Sequence, residues 1–113
     1  MIKVYGIKNC DSVKKAIAFL KKNDKEYEFF DFKTQELPCE KIDDWVSKVG
    51  LKLLFNTRST TYRNLKLKEL NLNEQHQYEW LCKENLLIKR PVIEYNDNVI
   101  VGFNEKQYKR SLL

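Results

Sequence analysis

The sequence predicts an α/β fold, a mixed four-stranded sheet with an all-helical block inserted between a βαβ half and a ββα half. Three observations predict it. Ile2-Lys3-Val4-Tyr5 and Glu26 to Phe32 are short runs of β-formers that flank one amphipathic helix pattern. Val92 to Tyr95 and Val99 to Val101 stand on either side of Asn96-Asp97-Asn98, the pattern of a hairpin with a short turn. Between these halves, roughly residues 37–88 carry helical spacing.

The elements follow in order. Gly6 breaks the first strand, and Ile7 to Ser12 forms a loop. Val13, Ala16, Ile17 and Leu20 recur at the spacing of a helix with one buried face, while Lys14, Lys15, Lys21 and Lys22 take its wet side. Asn9, Asp11 and Ser12 are competent caps, so this helix begins at or just after Cys10 and ends at Asn23-Asp24. The strand from Glu26 to Phe32 is parallel to the first, reached by a right-handed crossover. After Leu37-Pro38, the residues Ile42, Trp45, Val46 and Val49 repeat the helical spacing, and Gly50 stands at a C-cap position. Asn56 to Arg63 is polar and aperiodic and reads as a loop. Leu65 to Leu86 is mostly helical with a break near Asn71-Leu72-Asn73, and Leu70, Leu72, Tyr78, Leu81 and Cys82 are the expected inward positions. Asn104 caps a last helix with Gln107 completing a capping-box pattern, and Tyr108, Leu112 and Leu113 pin that helix to the sheet. This order of elements matches a thioredoxin-like fold.

With 113 residues, 42% of them hydrophobic and 12% aromatic, the chain reads as one globular domain over 1–113. The longest apolar runs, such as Leu53-Leu54-Phe55 and Leu86-Leu87-Ile88, are too short to span a bilayer. No cationic start precedes an apolar core and cleavage site, so the expected compartment is the cytoplasm, with no membrane partner. Lys and Arg outnumber Asp and Glu by 21 to 16, a formal charge of +5 that is densest from Lys8 to Lys25. That excess suits a small anion or an acidic protein surface as well as it suits a polynucleotide. No basic patch interleaved with aromatics stands out, so direct nucleic-acid binding is not expected. The expected state is a monomer.

Three cysteines, Cys10, Cys39 and Cys82, are widely spaced, and His76 is the single histidine. That set supplies neither the clustered ligands of a structural metal site nor a Ser-His-Asp triad, so no metal is expected. In a reducing compartment three free thiols are ordinary. Cys10 is set apart by position: it lies at the carboxyl end of the first strand and the amino end of the first helix, where ligands bind in open α/β sheets. Unpaired amides and the positive end of the helix dipole favour an anion there, so Cys10 is expected to have a depressed pKa and to act as a nucleophile. The same amides suit an oxyanion or carboxylate beside the sulfur. A free cysteine is often a small buried hydrophobe; here Lys8, Asn9, Asp11 and Ser12 are all polar and argue for a wet loop. Val13 occupies the place of a resolving cysteine, so Cys10 is a monothiol that must pass its oxidised product to an outside thiol. Glutathione with glutaredoxin is the natural candidate. Cys39 and Cys82 read as structural or incidental, with either one open as an internal resolving partner.

Four segments together carry a family resemblance. Gly6-Ile7-Lys8-Asn9-Cys10-Asp11-Ser12-Val13-Lys14-Lys15-Ala16, Asn56-Thr57-Arg58-Ser59-Thr60-Thr61-Tyr62-Arg63, Lys89-Arg90-Pro91 and Val101-Gly102-Phe103-Asn104-Glu105 occur in that order. The chain resembles, end to end, the glutaredoxin-coupled arsenate reductases (ArsC) and the Spx regulators, and among them the YffB-like members. The resemblance implies that Cys10 is the catalytic nucleophile, which in the reductases attacks arsenic. It implies that Arg58 and Arg90 line the anion site, where a guanidinium fork matches oxyanion or carboxylate geometry. Asn9, Ser12, Lys14 and Pro91 join them as substrate-binding residues, and the Arg90–Pro91 bond is expected to be cis. The reductases carry a third arginine shortly after the final hairpin begins, and Ile100 to Asn104 has none. The expected activity is therefore a glutathione-dependent reduction of a mixed disulfide or of an oxyanion such as arsenate, with glutathione as co-substrate. The alternative is an Spx-like protein that binds RNA polymerase without catalysis, using Gly50, the helical block and the lysine excess as its surface.

Overall fold

The computed structural model describes residues 1–113. In chain order the elements are β1 (Ile2–Gly6), α1 (Asp11–Lys22), β2 (Tyr27–Asp31), α2 (Cys39–Val49), α3 (Leu51–Leu54) and α4 (Thr60–Asn64). A 3₁₀ turn at Leu67–Leu70 precedes α5 (Glu74–Lys83), and another at Asn85–Leu87 precedes β3 (Val92–Tyr95), β4 (Asn98–Val101) and α6 (Glu105–Leu112). Two compact units divide them: Met1–Asp31 with Arg90–Leu113, and Phe32–Lys89. No helix is long and apolar enough to cross a membrane.

The first unit is the sheet, in the order β2-β1-β3-β4. β1 runs parallel to β2 with Val4 opposite Phe29, and antiparallel to β3 with Val4 opposite Ile93. Successive strand side chains alternate between faces. Ile2, Val4, Ile93 and Ile100 consequently gather with Ala16 and Leu20 of α1 and Tyr108 and Leu112 of α6 in one buried cluster. Burying each large side chain of this kind contributes about 1.5–3 kcal/mol. Tyr108 is fully buried, and its hydroxyl donates to the Gly102 carbonyl at 2.6 Å. Burial raises its pKa above the ordinary tyrosine range. The hairpin turn is Asn96-Asp97, both at positive φ, as the twist of a two-residue turn demands. Asn104 caps α6, its Oδ1 accepting from the Gln107 amide at 3.0 Å, as the sequence predicts. This is the expected thioredoxin-like topology, a mixed four-stranded sheet built from βαβ and ββα halves.

The second unit is helical. Ile42 and Trp45 of α2, Leu54 of α3, Leu67 of the first 3₁₀ turn and Leu81 of α5 are buried in it. Gly50 closes α2 at φ 86 and ψ 150, a region open essentially to glycine, and the chain continues at once into α3. The predicted break at residues 71–73 is present, with the Asn73 side chain capping α5 by accepting from the His76 amide at 2.8 Å.

Several expectations need correction. The stretch Asn56 to Arg63 is not wholly loop, because α4 begins at Thr60. Ser59 Oγ accepts from the Tyr62 amide at 3.0 Å and nucleates a helix too short to show periodicity. Leu70 points out, at 56% exposure, and Leu67 takes the buried place; the 3₁₀ turn shifts the inward position by one turn. Leu113 is exposed as well. The cysteines change most. Cys39 and Cys82 are joined in a disulfide with their Cα atoms 5.3 Å apart, so neither is a free thiol. The start of α2 and the end of α5 meet, although 43 residues separate the two cysteines in sequence.

Candidate active site

Cys10 is the free cysteine, and it is partly exposed. Three local features place it. β1 ends at Gly6, Ile7 is buried, and Lys8-Asn9 is an exposed bend that turns the chain into α1. Cys10 is itself the N-cap, with extended backbone (φ −147, ψ 123), and its carbonyl accepts from the Lys14 amide at 2.9 Å. Cys10 takes the cap position in place of Asn9, Asp11 or Ser12, the residues that the sequence favours, and its side chain makes no capping hydrogen bond. The amides of the first helical turn have no intrahelical acceptor, and their dipoles add to a positive potential at the sulfur's end of α1. Lys8, Lys14 and Lys15 are exposed around the same turn, and Ser12 is half-buried.

Gly6 permits this approach of strand and helix. A Cβ there would lie 2.7 Å from Val13 Cγ2, closer than packed carbons sit. Val13, at the position of a missing resolving thiol, is buried and serves as the packing contact that seats α1 on the end of β1.

Arg90-Pro91 comes to the same end of the sheet by topology. Tyr5 pairs with Val92 across the antiparallel β1–β3 ladder, so the residues after Gly6 and those before Val92 emerge side by side. The Arg90–Pro91 bond is cis, as expected. The Pro91 carbonyl accepts from the Gly102 amide at 2.7 Å, which anchors the turn to the last hairpin. Pro91 is buried, and Arg90 is half-buried with its Nε inside. On the same two strands the Tyr5 hydroxyl donates to Glu94 Oε1 at 2.6 Å in a part-buried bond. Burial, and then that bond, raise the Tyr5 pKa above the ordinary tyrosine range. Sequence reasoning missed this pair, whose only signal is a tyrosine and a glutamate on like faces of two strands.

The structure thus brings Cys10, Asn9, Ser12, Lys14, Arg90 and Pro91 to one end of one sheet. Arg58 belongs to the helical unit and is exposed. Its amide donates to Asn56 Oδ1 at 3.0 Å, and the Asn56 amide in turn donates to the Leu87 carbonyl at 2.9 Å. Arg63 steadies the turn, with Nη1 donating to the Arg58 carbonyl at 3.4 Å.

A part-exposed thiol at the start of the first helix, at the end of a sheet ordered β2-β1-β3-β4 with β1 parallel to β2 and antiparallel to β3, defines the chain as a thiol-bearing protein of the thioredoxin-like class. It belongs to the ArsC family, whose model matches residues 5–111. An uncharacterized protein of Haemophilus influenzae is 39% identical over 110 residues, covering 96% of each chain. The solved structure of a YFFB protein is 32% identical, covers 100% of both chains and superposes with a TM-score of 0.91. The global transcriptional regulator Spx of Lactiplantibacillus plantarum is 28% identical over 116 residues, covering 99% of this chain and 86% of its own.

Proposed function

We propose that the protein is a monothiol, glutathione-dependent reductase in which Cys10 is the nucleophile. The observation that carries this reading is a free, water-accessible thiol at the N-cap of a 12-residue helix. Cys10 attacks the glutathione sulfur of a mixed disulfide RS–SG, forming Cys10–S–SG and releasing the thiolate RS⁻. A second glutathione, or glutaredoxin, attacks the mixed disulfide and regenerates Cys10. With glutathione the sum is RS–SG + GSH → RSH + GSSG, so electrons and protons balance. Arsenate is the alternative electrophile, as in the reductases of the family.

Supporting groups follow from the same end of the sheet. The first-turn amides, Ser12 and Lys14 favour the negative charge of the attacking and departing groups. Arg90 is suited to grip a glutathione carboxylate or an oxyanion through its fork of donors. Arg58 enters the proposal through the family resemblance as a second anion-binding group, and Arg58→Gln is expected to raise KM more than it lowers kcat. In a reducing cytoplasm, glutathione and glutaredoxin are the natural electron donors.

The test supplies glutathione and glutaredoxin and compares arsenate with several glutathione mixed disulfides. Cys10→Ser is expected to abolish turnover with whichever substrate responds, while circular dichroism stays that of the parent. Full activity of the Ser variant would refute the assignment. The likeness to the Spx regulator favours a second reading, a module that docks on RNA polymerase. Recovery of polymerase subunits in stoichiometric amounts by both parent and Cys10→Ser would select it.

A further inference from the structure

We propose that Cys39 and Cys82 form a second redox centre, a dithiol/disulfide couple that exchanges with small thiols independently of Cys10 while the helical unit stays folded. Access comes first. Cys39 is exposed and Cys82 is partly exposed, so an external thiolate reaches a sulfur without unfolding the helices.

Support of the two chain segments by other bonds comes second. Buried Asn85 accepts from the Leu37 amide at 3.0 Å and donates to the Leu81 carbonyl at 2.9 Å. Leu37 is two residues before Cys39, and Leu81 immediately precedes Cys82. The Tyr78 hydroxyl and the Asp43 carboxylate hydrogen-bond between α5 and α2. Ile42, Trp45 and Leu81 stay fully buried in the same block. Opening the disulfide therefore leaves both sulfurs tethered near one another, at a high effective concentration for closing again. Asn85 is the positioning residue.

The exchange needs a low-molecular-weight thiol, RSH. Its thiolate attacks one sulfur of the pair, giving a mixed disulfide and one free protein thiolate. A second RSH releases the other sulfur as RSSR. The sum is a protein disulfide plus 2 RSH giving a protein dithiol plus RSSR, with two electrons passing to the protein; RSSR drives the reverse.

The test uses full-length Cys10→Ser protein, so that it stands apart from the reductase reading. The protein is equilibrated in graded mixtures of glutathione and glutathione disulfide, quenched in acid, alkylated and weighed by mass spectrometry, with circular dichroism recorded in parallel. No alkyl group at the oxidising end, two gained together at one midpoint, and unchanged helical signal support the couple. It is overturned by label at the oxidising end, by a single glutathione adduct as the main oxidised form, by no reduction at any ratio, or by loss of helical signal on reduction. Asn85→Ala is expected to lower the midpoint ratio [GSH]²/[GSSG] by about tenfold through the lost effective concentration. An unchanged midpoint overturns the positioning role of Asn85. If that variant fails to fold, Asn85→Asp, which keeps the acceptor for Leu37 and loses the donor to Leu81, carries the same measurement.

Discussion

Gly6 shows how one absent carbon holds the candidate site together. Its Cα hydrogens face Val13 Cγ2 where a Cβ would stand at 2.7 Å, so any side chain pushes α1 away from β1 and moves Cys10 with it. Gly6→Ala is expected to cost about 1–3 kcal/mol in urea unfolding, the usual penalty for overpacking. It should also change the rate at which iodoacetamide alkylates Cys10. Gly6→Ala combined with Val13→Ala should recover part of the loss, a coupling that a double-mutant cycle measures. Cys10 was legible as a candidate because its neighbours are polar and a helical stripe starts directly after it. The tight Gly6–Val13 contact was not, since it depends on how a strand and a helix seven residues apart turn toward each other. Tyr5 and Glu94 were illegible for a similar reason: 89 residues separate them, and only the strand register makes them neighbours.

Helices with long apolar stripes announced themselves, and short ones did not. Along α1 the stripe is buried at Val13, Ala16 and Leu20, with Phe19 added beside it. α4 has five residues, none of them buried, so no period marks it. What makes it a helix is Ser59, whose Oγ accepts from the Tyr62 amide and donates to the Asn56 carbonyl at 3.1 Å. Ser59→Ala is expected to cost about 1–2 kcal/mol of stability, the value of a lost cap, with proteolysis at the Asn56–Arg58 turn rising in step. The hairpin between β3 and β4 was legible from its Asn-Asp turn, yet Asp97 sits at φ 64, a conformation in which glycine is at less cost. Asp97→Gly should raise stability by about 0.5–1 kcal/mol, read as a higher denaturation midpoint.

Over the whole chain, the order of elements carried the topology, because a βαβ unit and a hairpin restrict how four strands join. The Cys39–Cys82 pairing was beyond it, because the two cysteines stand 43 positions apart and only the packing of α2 against α5 brings them together. Alkaline stability is also a property of the whole chain. Burial raises the pKa of Tyr5 and Tyr108, and a hydrogen bond to Asp43 raises that of Tyr78. A tyrosine whose folded pKa is raised stabilises the fold fully below the unfolded value of about 10, and loses that contribution as pH climbs toward the folded one. Unfolding in urea at pH 8 to 11 should therefore become easier above about 10. Tyr108→Phe should flatten that decline while removing one buried hydrogen bond, worth about 1 kcal/mol at neutral pH. β1 has one further effect. It bonds β2 on one flank and β3 on the other, and β3 lies in the segment Arg90–Leu113. A nascent chain that has left the ribosome only as far as Lys89 presents a central strand with one bare edge, open to mispairing until the final segment emerges. Synthesis, rather than the finished protein, is the period in which the inner edge of β1 lies uncovered.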